Sequence, residues 1–147
     1  MNWSVGQRQK FYAQGEMPLT GVVAVGFAGA VAEQTLTSLG GGGFMLARIA
    51  GDNTSSEEIF FDFFVDTPGQ GLKHKVDPHF FPVTVDFAGS KQDFNIGLGS
   101  IVVPGILKGL LHVHERLGTM DLADVLFTII SIARGHELNE FQAGFTL

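Results

Sequence analysis

Four consecutive glycines, two histidines two residues apart and one carboxylate inside a phenylalanine run are the features of this 147-residue sequence that could carry chemistry. The glycines, Gly40, Gly41, Gly42 and Gly43, invite a phosphate-binding loop, in which backbone N–H groups cradle an anion. Such a loop needs a lysine and then a serine or threonine directly after it, and Phe44-Met45 stand there instead. Backbones that pass closely with no side chain between them explain the glycines better. His112 and His114 look like a ligand pair. On a helix of ~3.6 residues per turn, however, they point about 200° apart and cannot share a metal. His114 falls on an apolar stripe with Leu110, Leu111 and Leu117, where a hydrogen-bonded core histidine is expected. His74, His79 and His136 fall in expected loops with no carboxylate at matching spacing. No metal and no cofactor is therefore expected.

Asp62, within Phe60-Phe61-Asp62-Phe63-Phe64, is the most informative single residue. A carboxylate buried there must be ionised against a cation or accept backbone hydrogen bonds, because an unpartnered buried charge is expensive. It is a structural brace or part of a site, and the brace is the favoured role. The Gly-x-Ser-x-Gly context of a nucleophile elbow is absent from the sequence. Taken residue by residue, the sequence holds no complete active site.

The elements that must position these residues follow from periodicity. Residues 1–19 show no clean period and read as an irregular leader, with the domain over 20–147. Gly21 to Ala32 is an apolar run of twelve residues, short of the ~17–25 that a spanning helix needs. Arg8, Lys10 and the closing Ala30-Val31-Ala32 imitate a signal peptide, but Glu16 and Pro18-Leu19-Thr20 interrupt that pattern. The run reads as a helix, small on every face and packed on all sides. Phe44 to Ile49 and Ile59 to Val65 read as an antiparallel hairpin about the polar cluster Gly51 to Ser56. Ile59, Phe61, Phe63 and Val65 line one face of its second strand, and Phe60 and Phe64 the other. A strand apolar on both faces belongs between two layers. Val83 to Phe87 is a further short strand. A helix is expected from about Gly105 to Leu117, stopped by Gly118, and another follows an N-cap at Asp121 and closes at Arg134-Gly135. The order implies a layered α+β fold.

Composition removes several function classes. Glycine supplies 20 residues and phenylalanine 14, charged residues are only 16%, and mean hydropathy is +0.24. Disordered chains are poor in apolar side chains and rich in charge, so this is not one of them. The absence of cysteine excludes a disulfide scaffold and a thiolate metal site. Nine basic residues against fifteen acidic ones give a net charge of −6 with no basic cluster, which argues against a nucleic-acid partner.

Several blocks carry a family likeness. Ala30-Val31-Ala32-Glu33 followed by Ser38-Leu39-Gly40-Gly41-Gly42-Gly43-Phe44-Met45-Leu46 resembles a signature of the γ-glutamyltranspeptidases. Gly99-Ser100-Ile101-Val102-Val103-Pro104-Gly105 is similar to that family's Val-Pro-Gly entry to a helix. His114-Glu115-Arg116-Leu117-Gly118-Thr119-Met120 and Ile132-Ala133-Arg134 resemble two later blocks. Together they cover most of Val22 to Phe141 in the family's order. The resemblance implies part of an N-terminal-nucleophile hydrolase, a four-layer αββα sandwich left incomplete by this chain. In that family a precursor cleaves itself, and a new N-terminal threonine attacks the γ-glutamyl amide of glutathione or a related compound. The α-amine of the threonine serves as base.

Three departures qualify the resemblance. No residue of the chain falls at the position of the threonine or of the oxyanion-hole glycines, so no catalytic residue is assigned. The run Asp62-Phe63-Phe64-Val65-Asp66-Thr67-Pro68 places Phe64 at the arginine that holds the substrate's carboxylate in the family. Phenylalanine cannot make that bidentate contact, which implies weak activity on γ-glutamyl donors. Gln14 to Gly21 matches the family in length but not in chemistry, as a shifted reading frame would produce; resequencing the coding DNA there tests this. The chain thus reads as an amino-terminal, large-subunit-region fragment of a γ-glutamyltransferase/hydrolase, inactive alone and in need of the carboxy-terminal part of the fold. A small γ-glutamyl substrate is expected only for the complete protein. The alternative is a standalone interaction or structural domain on a truncated transferase scaffold. A module that binds an anion through the glycine turn is a third reading.

Overall fold

The computed structural model describes residues 18–33, 36–50, 56–74 and 76–146. Residues 1–17 of the leader expected over 1–19, the mismatched stretch up to Met17 and residues 51–55 of the turn lie outside the described residues. Helix α1 (Pro18–Ala32) opens the described chain, with proline at a first-turn position that suits its fixed φ. Thr20, Val23, Phe27 and Ala30 are buried along one side, while Val22 and Val25 are 46% and 71% exposed. The expectation of packing on all sides is corrected here: α1 packs chiefly on two other helices, and among the described residues nothing covers Val22 and Val25 on its far side.

Strand β1 (Gly43–Ala50) pairs antiparallel with β2 (Ser56–Phe63), with Met45 opposite Phe61 and Leu46 opposite Phe60. The expected hairpin is present, with β2 starting and ending a few residues earlier than its apolar run suggests. A second antiparallel pair joins β3 (Phe81–Asp86) to β4 (Lys91–Ile96). Periodicity points to β3 but misses β4, whose Lys-Gln-Asp start looks like loop. The connecting Ala88-Gly89 adopts φ of 52° and 118°, the left-handed pair that a tight hairpin requires and that Asn-Gly usually signals. Among the described residues each sheet has two strands.

A 3₁₀ turn (Leu98–Ser100) leads to helix α2 (Ile106–Leu117) and then to α3 (Leu122–Ala133). The Asp121 carboxylate caps α3 by accepting the Ala123 N–H at 2.8 Å, as expected. Helix α4 (Glu140–Thr146) is not foreseen from periodicity. Its start is a reciprocal capping box, in which Asn139 Oδ1 accepts the Gln142 N–H and Gln142 Oε1 accepts the Asn139 N–H. Gln142 Nε2 also donates to the Ala32 carbonyl at 3.2 Å, tying α4 to the end of α1.

Helix α1 packs against α2 and α3, and α2 lies against β2. Val23 and Phe27 of α1, Ile106, Leu110 and Val113 of α2, and Val125 and Ile129 of α3 make the core with Ala47 and Phe61 from the strands. The start of α1 is fixed by Thr20, whose Oγ1 accepts the Thr119 N–H at 3.0 Å in the turn between α2 and α3. His114 departs from expectation: its Nδ1 is buried and has no hydrogen-bond partner among the described residues.

Candidate functional site

Three separate stretches meet at the end of β2. Ser38 shapes the glycine turn: its Oγ accepts the Gly40 N–H and its carbonyl accepts the Gly41 N–H, both at 3.1 Å. Two amides that a phosphate loop would offer to an anion are therefore engaged, which counts against the anion-binding reading. The Gly41 carbonyl in turn accepts the N–H groups of Gly105 and Ile106, each at 3.1 Å. The start of α2 is thus capped by backbone oxygen, and no side chain caps it.

The spacing is set by missing side chains. A Cβ on Gly42 would lie 2.5 Å from the Val65 nitrogen and 2.7 Å from the Phe64 carbonyl carbon. One on Gly105 would collide with the Phe63 carbonyl oxygen and lie 2.6 Å from that of Phe64. Backbone atoms cannot rotate aside, so glycine is what lets these strands and the helix start approach. Close passage, the role expected of the glycine block, is what Gly42 performs. Just beyond, Asp66 and Val103 exchange N–H to carbonyl bonds of 3.1 and 2.7 Å, pinning the Val-Pro-Gly entry to the segment after β2. The Asp66 carboxylate accepts the Thr67 N–H at 2.8 Å and the Gln70 side-chain amide.

Asp62 is exposed rather than buried, which corrects the expectation from its phenylalanine neighbours. It lies on the outer side of β2, alternating with buried Phe61, and reaches the rim of the space between β2 and α2. Its Oδ1 does accept a backbone hydrogen bond, from the Phe64 N–H at 3.0 Å. Phe64 lies on the same outer side and is 56% exposed. It stacks on Phe44 with centroids 5.2 Å apart and 6° between planes, and Phe44 stacks on Phe60 at 5.7 Å and 17°. The position of the expected arginine thus belongs to a row of three rings.

The two histidines of α2 diverge as their spacing requires. His112 reaches toward β2, its ring edge-on to Phe61 at 6.0 Å, while His114 sits against Gly118. His112, Arg116 and Gly109 face Phe60 to Phe63 across a cleft of about 210 Å³. Arg116 places its guanidinium carbon 5.8 Å from the centre of the Phe61 ring. Residue-type reasoning overlooks Arg116, although its four-residue spacing from His112 puts both on one helix face. Among the described residues no group of three His, Asp or Glu side chains is placed to hold a metal, and no described helix is long and apolar enough to cross a membrane.

The family model for gamma-glutamyltranspeptidase matches residues 13–146, nearly the whole chain. The chain belongs to the γ-glutamyltranspeptidase family. Its fold is related to that of the N-terminal-nucleophile hydrolases in this family, with open two-stranded sheets. The acylase ACY 1 proenzyme of Pseudomonas sp. (strain SE83) is 30% identical over 116 residues, covering 76% of this chain and 19% of the acylase. The γ-glutamyltranspeptidase of Helicobacter pylori superposes with a TM-score of 0.66 at 26% identity, over 92% of this chain and 36% of that one. The enzyme from Pseudomonas nitroreducens, solved with L-DON, gives a TM-score of 0.68 at 23% identity, over 93% and 38%. The chain therefore spans about a fifth of the length of the curated relative and well under half of either solved chain.

Proposed function

We propose that the chain forms the amino-terminal portion of a γ-glutamyltransferase/hydrolase acting on γ-glutamyl amides such as glutathione, and that it is inactive by itself. The observation that carries this reading is the meeting of the glycine block, the end of β2 and the Val-Pro-Gly entry in a family member matched over 13–146. Covering the outer face of β1–β2 with a second sheet would complete the αββα sandwich. The threonine nucleophile would come from the part of the fold that this chain does not supply, and its own amine would act as base. Phe64 has no charge with which to bind a carboxylate, so γ-glutamyl donors would be poor substrates even in a complete enzyme. A second reading, cleavage of amides whose acyl group lacks that carboxylate, draws on Phe64 and on the relative named an acylase.

Assaying γ-glutamyl-p-nitroanilide tests both readings. The 147-residue chain alone should release no p-nitroaniline, and a relative that carries the same phenylalanine together with a threonine-bearing region should turn the donor over slowly. Arginine in place of that phenylalanine should then raise turnover. Turnover by the isolated chain would overturn its proposed inactivity. Efficient turnover that is indifferent to substitution of the phenylalanine would overturn the role given to Phe64.

A further inference from the structure

We propose that the cleft between β2 and α2 binds the carboxylate of a small acid, with Arg116 as its cation and His112 as a neighbouring hydrogen-bond donor. Gly109, His112 and Arg116 follow one another at spacings of three and four, so α2 presents all three from one face to β2. Phe61 is the fixed point. It is only 6% exposed, and it carries Arg116 over its ring face and His112 against its ring. A cation–π contact orients a guanidinium without using its N–H donors. Those donors find no acidic partner among the described residues, where the one ion pair joins Arg48 to Glu58. His112 likewise has no hydrogen-bonded partner among the described residues.

Gly109 lets α2 lie close against β2 at one end of the cleft, because a Cβ there would run into the Phe63 side chain. Asp62 is the one acidic group lining the cleft, and its Oδ1 is engaged by the Phe64 N–H. One guanidinium with one carboxylate on the same cleft favours a singly charged ligand over a phosphate. Planar carboxylates also match the guanidinium fork.

Phenylglyoxal labelling of the full 147-residue chain, followed by peptide mass spectrometry, tests the proposal with Arg48 and Arg134 as internal references. Phenylacetate should slow modification of Arg116 by about fivefold or more relative to both references, as a bidentate contact would. Phenylacetamide, uncharged and of the same shape, should leave the rate unchanged, and His112→Gln should weaken the protection. Equal protection of Arg48, equal protection by the amide, or no protection at all would overturn the site. Protection undiminished in His112→Gln would overturn the part given to His112.

Discussion

The β1–β2 hairpin has two apolar faces, and they meet opposite surroundings. On the inner face Ala47 and Phe61 are buried, with Met45, Ile59 and Phe63 packed against the same cluster beneath α2. On the outer face Phe44, Leu46, Phe60 and Phe64 are 57%, 68%, 62% and 56% exposed, although they alternate along the same two strands. Three of these rings stack on one another. Residue type therefore does not separate the faces; the number of layers present does. Apolar area left in water costs roughly 25 cal/mol per Å² relative to burial, so the outer face should draw any available apolar surface onto itself.

The largest effect expected from this contrast is on association. The chain alone should sediment as species larger than a monomer. Leu46→Glu combined with Phe60→Lys should shift it to monomer, because these cross-strand partners lie on the outer face and opposite charges there support the pairing. A wild-type monomer with a sharp, cooperative thermal transition would break the comparison and favour a standalone domain.

The soluble double variant then allows the inner face to be measured. Phe61 touches the core and carries both Arg116 and His112. Phe61→Ala should lower stability by about 3–5 kcal/mol, the range for emptying a buried phenylalanine site. The measurement is the change in free energy from chemical denaturation. A loss near that of an exposed position would mean that the helical layer does not seal this face.

Much of this contrast was legible in the sequence, and its limits are instructive. The alternation of Ile59, Phe61 and Phe63 with Phe60 and Phe64 announced a two-sided strand, and the hairpin and helices α2 and α3 followed from period and caps. The apolar sequence neighbours of Asp62 suggest burial, whereas its neighbours in space are set by which layers are present. Strand β4 was hidden by a polar composition and by a turn built on Ala88-Gly89, where alanine takes a conformation that seldom suits it. Helix α4 was hidden by its brevity, although Asn139 and Gln142 carry the capping-box spacing. The close approaches at Gly42 and Gly105 are long-range facts that no local pattern states. In the cleft, Arg116 drew no notice because its partner Phe61 lies far away along the chain.

The smallest effect sharpens the contrast most. Phe64 and Phe61 are the same residue type, three positions apart, on opposite sides of one segment. Phe64 contributes through its stack on Phe44, since no described layer covers it. An aromatic pair of this kind is worth about 0.5–1.5 kcal/mol beyond its buried area. Phe64→Ala in the soluble background should therefore cost about 1 kcal/mol, several times less than Phe61→Ala. Phe44→Ala should remove the same stack, so adding it to Phe64→Ala should cost less than the sum of the two single changes. Strict additivity would show that the rings do not pair in solution. A Phe64→Ala loss as large as that of Phe61→Ala would show that the outer face is already covered, and the two faces would no longer differ.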